Sequence, residues 1–444
     1  MLPSTSNYLL KNGRVPASLL QMKSIAPPAS TVTTTGTDSN FCLVDVEIAA
    51  GTIAQITTAD TEHLFPIADI PIVDLCGGLI LPCFVDMHAH LDKGHIWDRS
   101  PNPDGTFASA IETVRADAQK NWNAGDVYRR MEFGLKCSYA RGTKAIRTHI
   151  DATGEQGTAS LGVFEALQAE WGARVILQAV SLVSLDYFLT PAGEKLADRM
   201  AQVGGILGGV AYMNPDLDKQ LDRVFALAAE RNLNLDFHSD ENGDPESTTL
   251  REIAKTAIRH KFSGQIICGH CCSLAVQPPD LVTETLELVK EANIGIVSLP
   301  MCNLYLQDRH TGRTPRWRGV TLLHELKAAG IPVAVASDNC RDPFYGFGDH
   351  DVLEVFNMAV RIAHLDMPYG DWLHTVTQTP AQLMGLPNSG KIAVGLPADL
   401  ILFKARNFSE LLSRNQGDRT VLRQGEKIDT TLPDYRELDD LLGI

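Results

Sequence analysis

The chain has 444 residues with 54 acidic and 39 basic side chains, a formal net charge of -15 and 44% hydrophobic residues. That apolar share belongs to folded globular proteins, so the acidity is a surface property and disorder is excluded. Polymeric nucleic acid is not an expected partner, because a phosphate backbone is held by Lys and Arg clusters and the longest basic run is Arg259-His260-Lys261.

In chain order, short β-type runs come first: Tyr8 to Leu10, Phe41 to Ile48 and Thr52 to Ile56, with a Pro, Ser and Thr-rich surface loop over Ser24 to Asn40. From Ile72 the pattern changes to apolar runs alternating with helical segments, the form of repeated βα units. The strand candidates are Leu79 to Val85, Lys144 to Ile150, Val175 to Leu182, Ile206 to Met213, Leu233 to His238, Gln265 to His270, Ile294 to Ser298 and Val333 to Ser337. Amphipathic stretches at Asp126 to Arg141, Leu217 to Arg231, Ser247 to His260, Leu281 to Ala292 and Gly319 to Ala329 lie between them. The predicted fold is α/β: a (β/α)8 TIM-like barrel over 71–389, flanked by a small discontinuous β-sandwich built from 1–70 and 390–444, where short strands return.

Nine scattered cysteines make no disulfide framework. The N-terminus lacks a signal-peptide pattern, and no apolar stretch approaches the ~18 residues of a membrane span. A cytoplasmic protein with no membrane partner is expected. Cys268-Gly-His-Cys271 has a C-x-x-C spacing, but a zinc ribbon needs a second such pair and a redox pair needs a thioredoxin-like setting.

The useful question about the thirteen histidines is which of them fall at strand ends. His88 and His90 follow the first strand, His238 ends the fifth, His270 the sixth, and Asp338 the eighth. Barrel enzymes place their chemistry at this end. On an extended segment, side chains at i and i+2 share a face with Cα atoms ~6.6 Å apart, so the imidazoles of His88 and His90 can reach one ion. His238 and Asp338 would complete a mixed nitrogen and oxygen shell for Zn2+ or Fe2+ with a position left for water. His260, His324, His364 and His374 fall in helical segments and read as surface residues, and His63 lies in the small β unit.

The motifs Pro82-x-Phe-Val-Asp-x-His-x-His-Leu-Asp92, Arg147-Thr-His-x-Asp151, His238-Ser-Asp-Glu241, Gly269-His270 and Ser337-Asp-Asn-x-Arg-Asp-Pro-Phe344 resemble those of the amidohydrolase superfamily. The resemblance is to the branch that holds cytosine deaminase and the ammelide-type aminohydrolases, and it extends to Gly395-Leu-Pro-Ala-Asp-Leu400. It implies His88, His90, His238 and Asp338 as ligands of one divalent ion, since Tyr212-Met213 stand where binuclear relatives carry a lysine. It implies that Glu241 shuttles protons, that His270 polarises the water or the substrate, and that Asp338 accepts the proton of the attacking water. Ammonia would leave a cyclic amidine and a ring carbonyl would remain. It also implies a homo-oligomer.

Two positions depart from the cytosine pattern: Ser184 stands where that enzyme has a glutamine, and Asn339 where it has a second acid. Ser184, with its shorter reach, weakens cytosine as the substrate, and a neutral Asn339 leaves room for a substituted ring such as 5-methylcytosine. Lys93, Trp97 and Phe344 are further candidates for lining the pocket. The expected function is a metal-dependent deaminase of a small nitrogen heterocycle, cytosine or a close analogue. The alternatives are cleavage of another C–N bond, as in an N-substituted triazine or cyclic amide, and a non-catalytic scaffold of the same fold.

Overall fold

The computed structural model describes residues 3, 5–21, 31–32 (backbone alone), 41–58, 70–366 and 368–444. His63 and most of the loop expected over 24–40 lie outside the described residues.

Eight parallel strands close into a barrel: Phe84–Ala89, Thr143–Asp151, Ile176–Leu182, Leu207–Ala211, Leu235–Ser239, Ile266–His270, Ile294–Ser298 and Val333–Val335. Ladders join the first three strands and the last five. Parallel bridges Val180↔Ile206 and Ser184↔Val210 join the two sets, and Ala89↔Asp338 joins first to last. At that last seam Asp338 N–H donates to His88 O (2.8 Å) and His90 N–H to Asp338 O (3.2 Å).

The apolar run expected as one strand, Leu79 to Val85, is two. Ile80–Pro82 pairs antiparallel with Leu400–Leu402, Cys83 N–H donates to Asp399 O, and the barrel strand begins at Phe84. Hydrophobicity runs unbroken across the change of sheet, so the pattern cannot show the break. Pro82, with no N–H to donate, sits at the end of the outer strand.

Helices Ala124–Arg141, Leu217–Glu230, Thr249–His260, Pro279–Glu291 and Leu323–Ala328 stand where the periodicity places them. The first begins at Asn123, whose side chain accepts from Gly125 N–H and Asp126 N–H, and stops at Gly142, which takes the left-handed φ of 96° that a Cβ disfavours. Helix Phe107–Asn121 precedes it, opened by Thr106, which accepts from Ser109 N–H. Leu235, Phe237, Ile266, Cys268, Ile294 and Ile296 pack with the helix residues Leu221, Val224, Phe225 and Ile253 in one buried cluster. Each such large side chain contributes ~1.5–3 kcal/mol by leaving water.

Outside the barrel, Asn7–Pro16 pairs with Phe41–Ala49, which pairs with Thr52–Thr58. Leu20–Gln21 pairs with Ile392–Ala393, and Leu400–Leu402 with Thr420–Arg423. Tyr8, Leu10, Val46 and Ile48 share a core with Ile392, Leu400 and Leu422. Among the described residues no helix is long and apolar enough to cross a membrane.

Candidate active site

Strand alternation fixes which side chains meet. On Leu235–Ser239, Leu235 and Phe237 join the helix-facing core, which turns Asp236 and His238 to the other face; on Thr143–Asp151, Arg147 and His149 share a face. Arg147 donates to Asp236 at 2.8 Å, and the His149 ring stacks on His88 with centroids 3.8 Å apart. Gly269 permits this crowding, since a Cβ there would stand 3.0 Å from the His88 ring.

The side chains expected from the strand ends converge. The Nε2 atoms of His90 and His238 are 3.3 Å apart, and one Asp338 oxygen lies 3.1 Å from His90 Nε2 and 3.6 Å from His88 Nε2. His270 and Asp338 both have positive φ, 68° and 65°, which aims their side chains where continued strands would not. Glu241 Oε1 lies 3.2 Å from His270 Nδ1, and the Asn303 amide donates to that nitrogen at 3.0 Å. With Nδ1 accepting, the ring proton sits on Nε2. Glu241 is held by its neighbour: the Asp240 carboxylate accepts from Ser247 Oγ, from Thr249 N–H and hydroxyl, and from Leu250 N–H, pinning the loop to the start of the next helix.

Both ring nitrogens of His88, both carboxylate oxygens of Asp338 and the Nδ1 of His90 and of His238 are buried without a hydrogen-bond partner. Unmet groups of this kind cost ~1–3 kcal/mol each. Burial depresses the His88, His149 and His238 imidazoles well below 6.5 and His270 to about 4, so their lone pairs are free at neutral pH. Burial also raises the Asp338 carboxyl, but the His90 contact and the nearby His270 outweigh it and hold it below the usual range. Neutral imidazoles and a carboxylate, crowded and otherwise unsatisfied, fit a divalent cation. Glu241 shifts the opposite way, raised well above 4.5 by burial and then by the Asp338 charge.

The cluster floors a cavity of about 320 Å3. Lys93 lines it, buried and paired with Asp151 at 2.8 Å; burial works against its charge, but Asp151 and Asp92 prevail and raise its pKa. Ser184, Asn339 and Phe344 also line it. The Asn339 amide donates to Asp342 at 2.7 Å, and Phe344 meets Phe107 edge to face at 5.6 Å. Trp97 is a correction: it does not line the cavity. The chain turns at His95, with φ of 61°, after which Trp97 N–H donates to Arg341 O and the indole lies where a Gly346 Cβ would go.

Sequence reasoning missed three parts of the site, one of them Asn303, which touches His270 Nδ1. His149 sat inside a quoted motif without an assigned place, although its i+2 spacing from Arg147 marks a shared face. The far wall comes from helix Phe107–Asn121 through Phe107, Ile111, Val114, Arg115 and Ala118, with Trp122 just beyond its end. Their three-to-four spacing was the available signal.

A model of the amidohydrolase family matches residues 132–425 of the chain. A pterin deaminase of Rhizobium rhizogenes (strain K84) is 49% identical over 443 residues, covering 99% of this chain and 98% of that protein. Among solved structures, 5-methylcytosine deaminase from Klebsiella pneumoniae liganded with 5-fluorocytosine superposes with a TM-score of 0.79 at 24% identity, covering 96% of this chain and 98% of that one. N-isopropylammelide isopropylaminohydrolase from Burkholderia multivorans gives 0.75 at 22% identity, covering 97% and 100%. The chain is an enzyme of the amidohydrolase family, of the deaminase type.

Proposed function

We propose that this enzyme removes the exocyclic amino group of a two-ring amino-oxo heterocycle of the pterin class, releasing ammonia and leaving a ring carbonyl. The observation that carries the reading is the 49% identity to a pterin deaminase over nearly the whole of both chains. It replaces cytosine as the leading substrate. The cavity supports it, since Phe107, Ile111 and Trp122 supply an apolar wall opposite the histidines that a single pyrimidine ring does not need.

His88, His90, His238 and Asp338 would hold one divalent ion, Zn2+ or Fe2+, for which this nitrogen and oxygen set is suited. Such an ion supplies Lewis acidity and lowers the pKa of water toward ~7. Asp338 takes the proton of the attacking water. Glu241, kept protonated by burial, gives its proton to the ring nitrogen beside the amidine carbon and then relays one to the leaving nitrogen. His270 donates from Nε2 to the attacking oxygen, its tautomer set by Asn303. Lys93, Ser184 and Asn339 contact the polar edge of the ring system and Phe344 its face. We also infer that residues 1–70 and 390–444 form one β unit beside a barrel of 71–389, a reading supported by the pairing of Leu20 with Ile392.

The test is ammonia release by metal-replete protein across pterin, cytosine, 5-methylcytosine and N-isopropylammelide. A kcat/KM for pterin at least ~100-fold above the pyrimidines, or ~2.7 kcal/mol, is expected; a preference for either pyrimidine overturns the substrate assignment.

A further inference from the structure

A second set of ligand-type side chains lies buried outside the strand-end cluster: His95 in the loop after the first barrel strand, with Cys340 and His350 in the segment after the eighth. A nitrogen from each ring and the Cys340 sulfur lie within 4.8 Å of one another. The Nε2 atoms of His95 and His350 are 3.1 Å apart, close to the 3.3 Å between His90 and His238. Two imidazoles on one tetrahedral zinc, each bonded at ~2.0–2.1 Å, stand ~3.3 Å apart. The Nδ1 atoms of both rings are buried without a partner, as in the strand-end cluster.

The surroundings are built for these groups. Burial and then the Asp349 charge raise the Cys340 thiol well above 9, the His350 backbone N–H that donates to the sulfur works the other way, and a bound zinc-class ion would deprotonate a coordinating thiol outright. A Cβ at Gly134, on helix Ala124–Arg141, would come 2.9 Å from His350 Nε2, so the helix gives way at the point where the ring enters. His95 packs edge to face on Phe133 at 4.9 Å. Burial keeps both imidazoles neutral, His350 at about 4 and His95 well below 6.5.

We propose that His95, Cys340 and His350 bind a second, structural divalent ion of the zinc class, pinning the loop after the first strand to the segment after the eighth. Two imidazoles and a thiolate select zinc-type ions over Mg2+ or Ca2+. The consequence for the cavity is direct: His95 lies two residues beyond Lys93, and Cys340 two beyond Asp338. The proposal does not depend on the substrate or on the ion assigned to the strand ends.

The test uses the full chain, stripped of metal and titrated with Co2+. The strand-end ligands are nitrogen and oxygen, so a near-ultraviolet sulfur-to-cobalt charge-transfer band reports a thiolate site alone. The band is expected in the wild-type protein, is abolished by added Zn2+, survives in His238→Ala, and is lost in Cys340→Ser and His350→Gln, which also bind one equivalent of Zn2+ fewer per chain. Absence of the band from Co2+-saturated wild-type protein overturns the proposal without recourse to any variant. So does a band, or a zinc count, that folded Cys340→Ser leaves unchanged.

Discussion

The two walls of the cavity are built on different principles. The strand-end wall, with His90, His238, His270 and Asp338 over the fully buried His88, is fixed by barrel register, and the backbone seam that closes the barrel also sets Asp338 beside His88 and His90. The facing wall is one side of helix Phe107–Asn121, inserted after the first strand and apolar apart from Arg115 and Gln119. One wall carries buried polar atoms without protein partners and the other carries mostly hydrocarbon. On the proposed function, reaction type draws on the barrel and substrate size on a helix between strands, which can change without disturbing a strand.

Substitutions can break this division at either wall. At the strand-end wall, Glu241→Gln keeps the ion and lowers kcat by ~100-fold to ~10,000-fold, the usual span for a lost acid–base group; metal analysis with steady-state kinetics checks it, and near-normal turnover removes Glu241 from the proton path. At the helix wall, Ile111→Trp fills the second-ring space and lowers kcat/KM for a two-ring substrate by ~10-fold, about 1.4 kcal/mol, while a one-ring substrate loses less. Equal losses on both substrates would remove the size-selecting role from that helix.

Metal retention sharpens the comparison by pH. Ligation needs neutral imidazole, and burial depresses the pKa of His88 and His238, so protonation competes with the ion only at pH values below those at which a free histidine titrates. Metal content measured after dialysis should hold as pH falls through 6.5, and release centred there would show that the ligands behave as exposed histidines. The smallest effect belongs to Trp97, which does not line the cavity. Trp97→Leu should leave kcat/KM within about threefold, under ~0.7 kcal/mol, and a larger loss would return Trp97 to the substrate.

How much of this is legible in the sequence follows the same division. Parallel strands buried on both faces are continuous apolar runs, so all eight can be read, and His238, His270 and Asp338 stand out because each lies at or just past the end of one. Cys83 hides a change of sheet because hydrophobicity does not report which strand a residue pairs with. Trp97 was misplaced because a loop has no period from which to read direction, and its turn depends on a positive φ at His95 that no pattern announces. His149 and Asn303 act through depth and tautomer, which exist only once the barrel has closed. Ser184 and Asn339, just past strand ends, show a departure from the cytosine pattern, whereas the proposed two-ring substrate rests on a helix whose place over the cavity no strand end marks.

The central claim is hydrolytic replacement of an amino nitrogen by oxygen on a two-ring substrate, and product analysis after turnover of pterin in heavy-oxygen water tests it most directly. The account predicts one ammonia per product, an intact ring system, and one labelled oxygen on the carbon that lost its nitrogen. A ring-opened product, or an intact product without label, would contradict it.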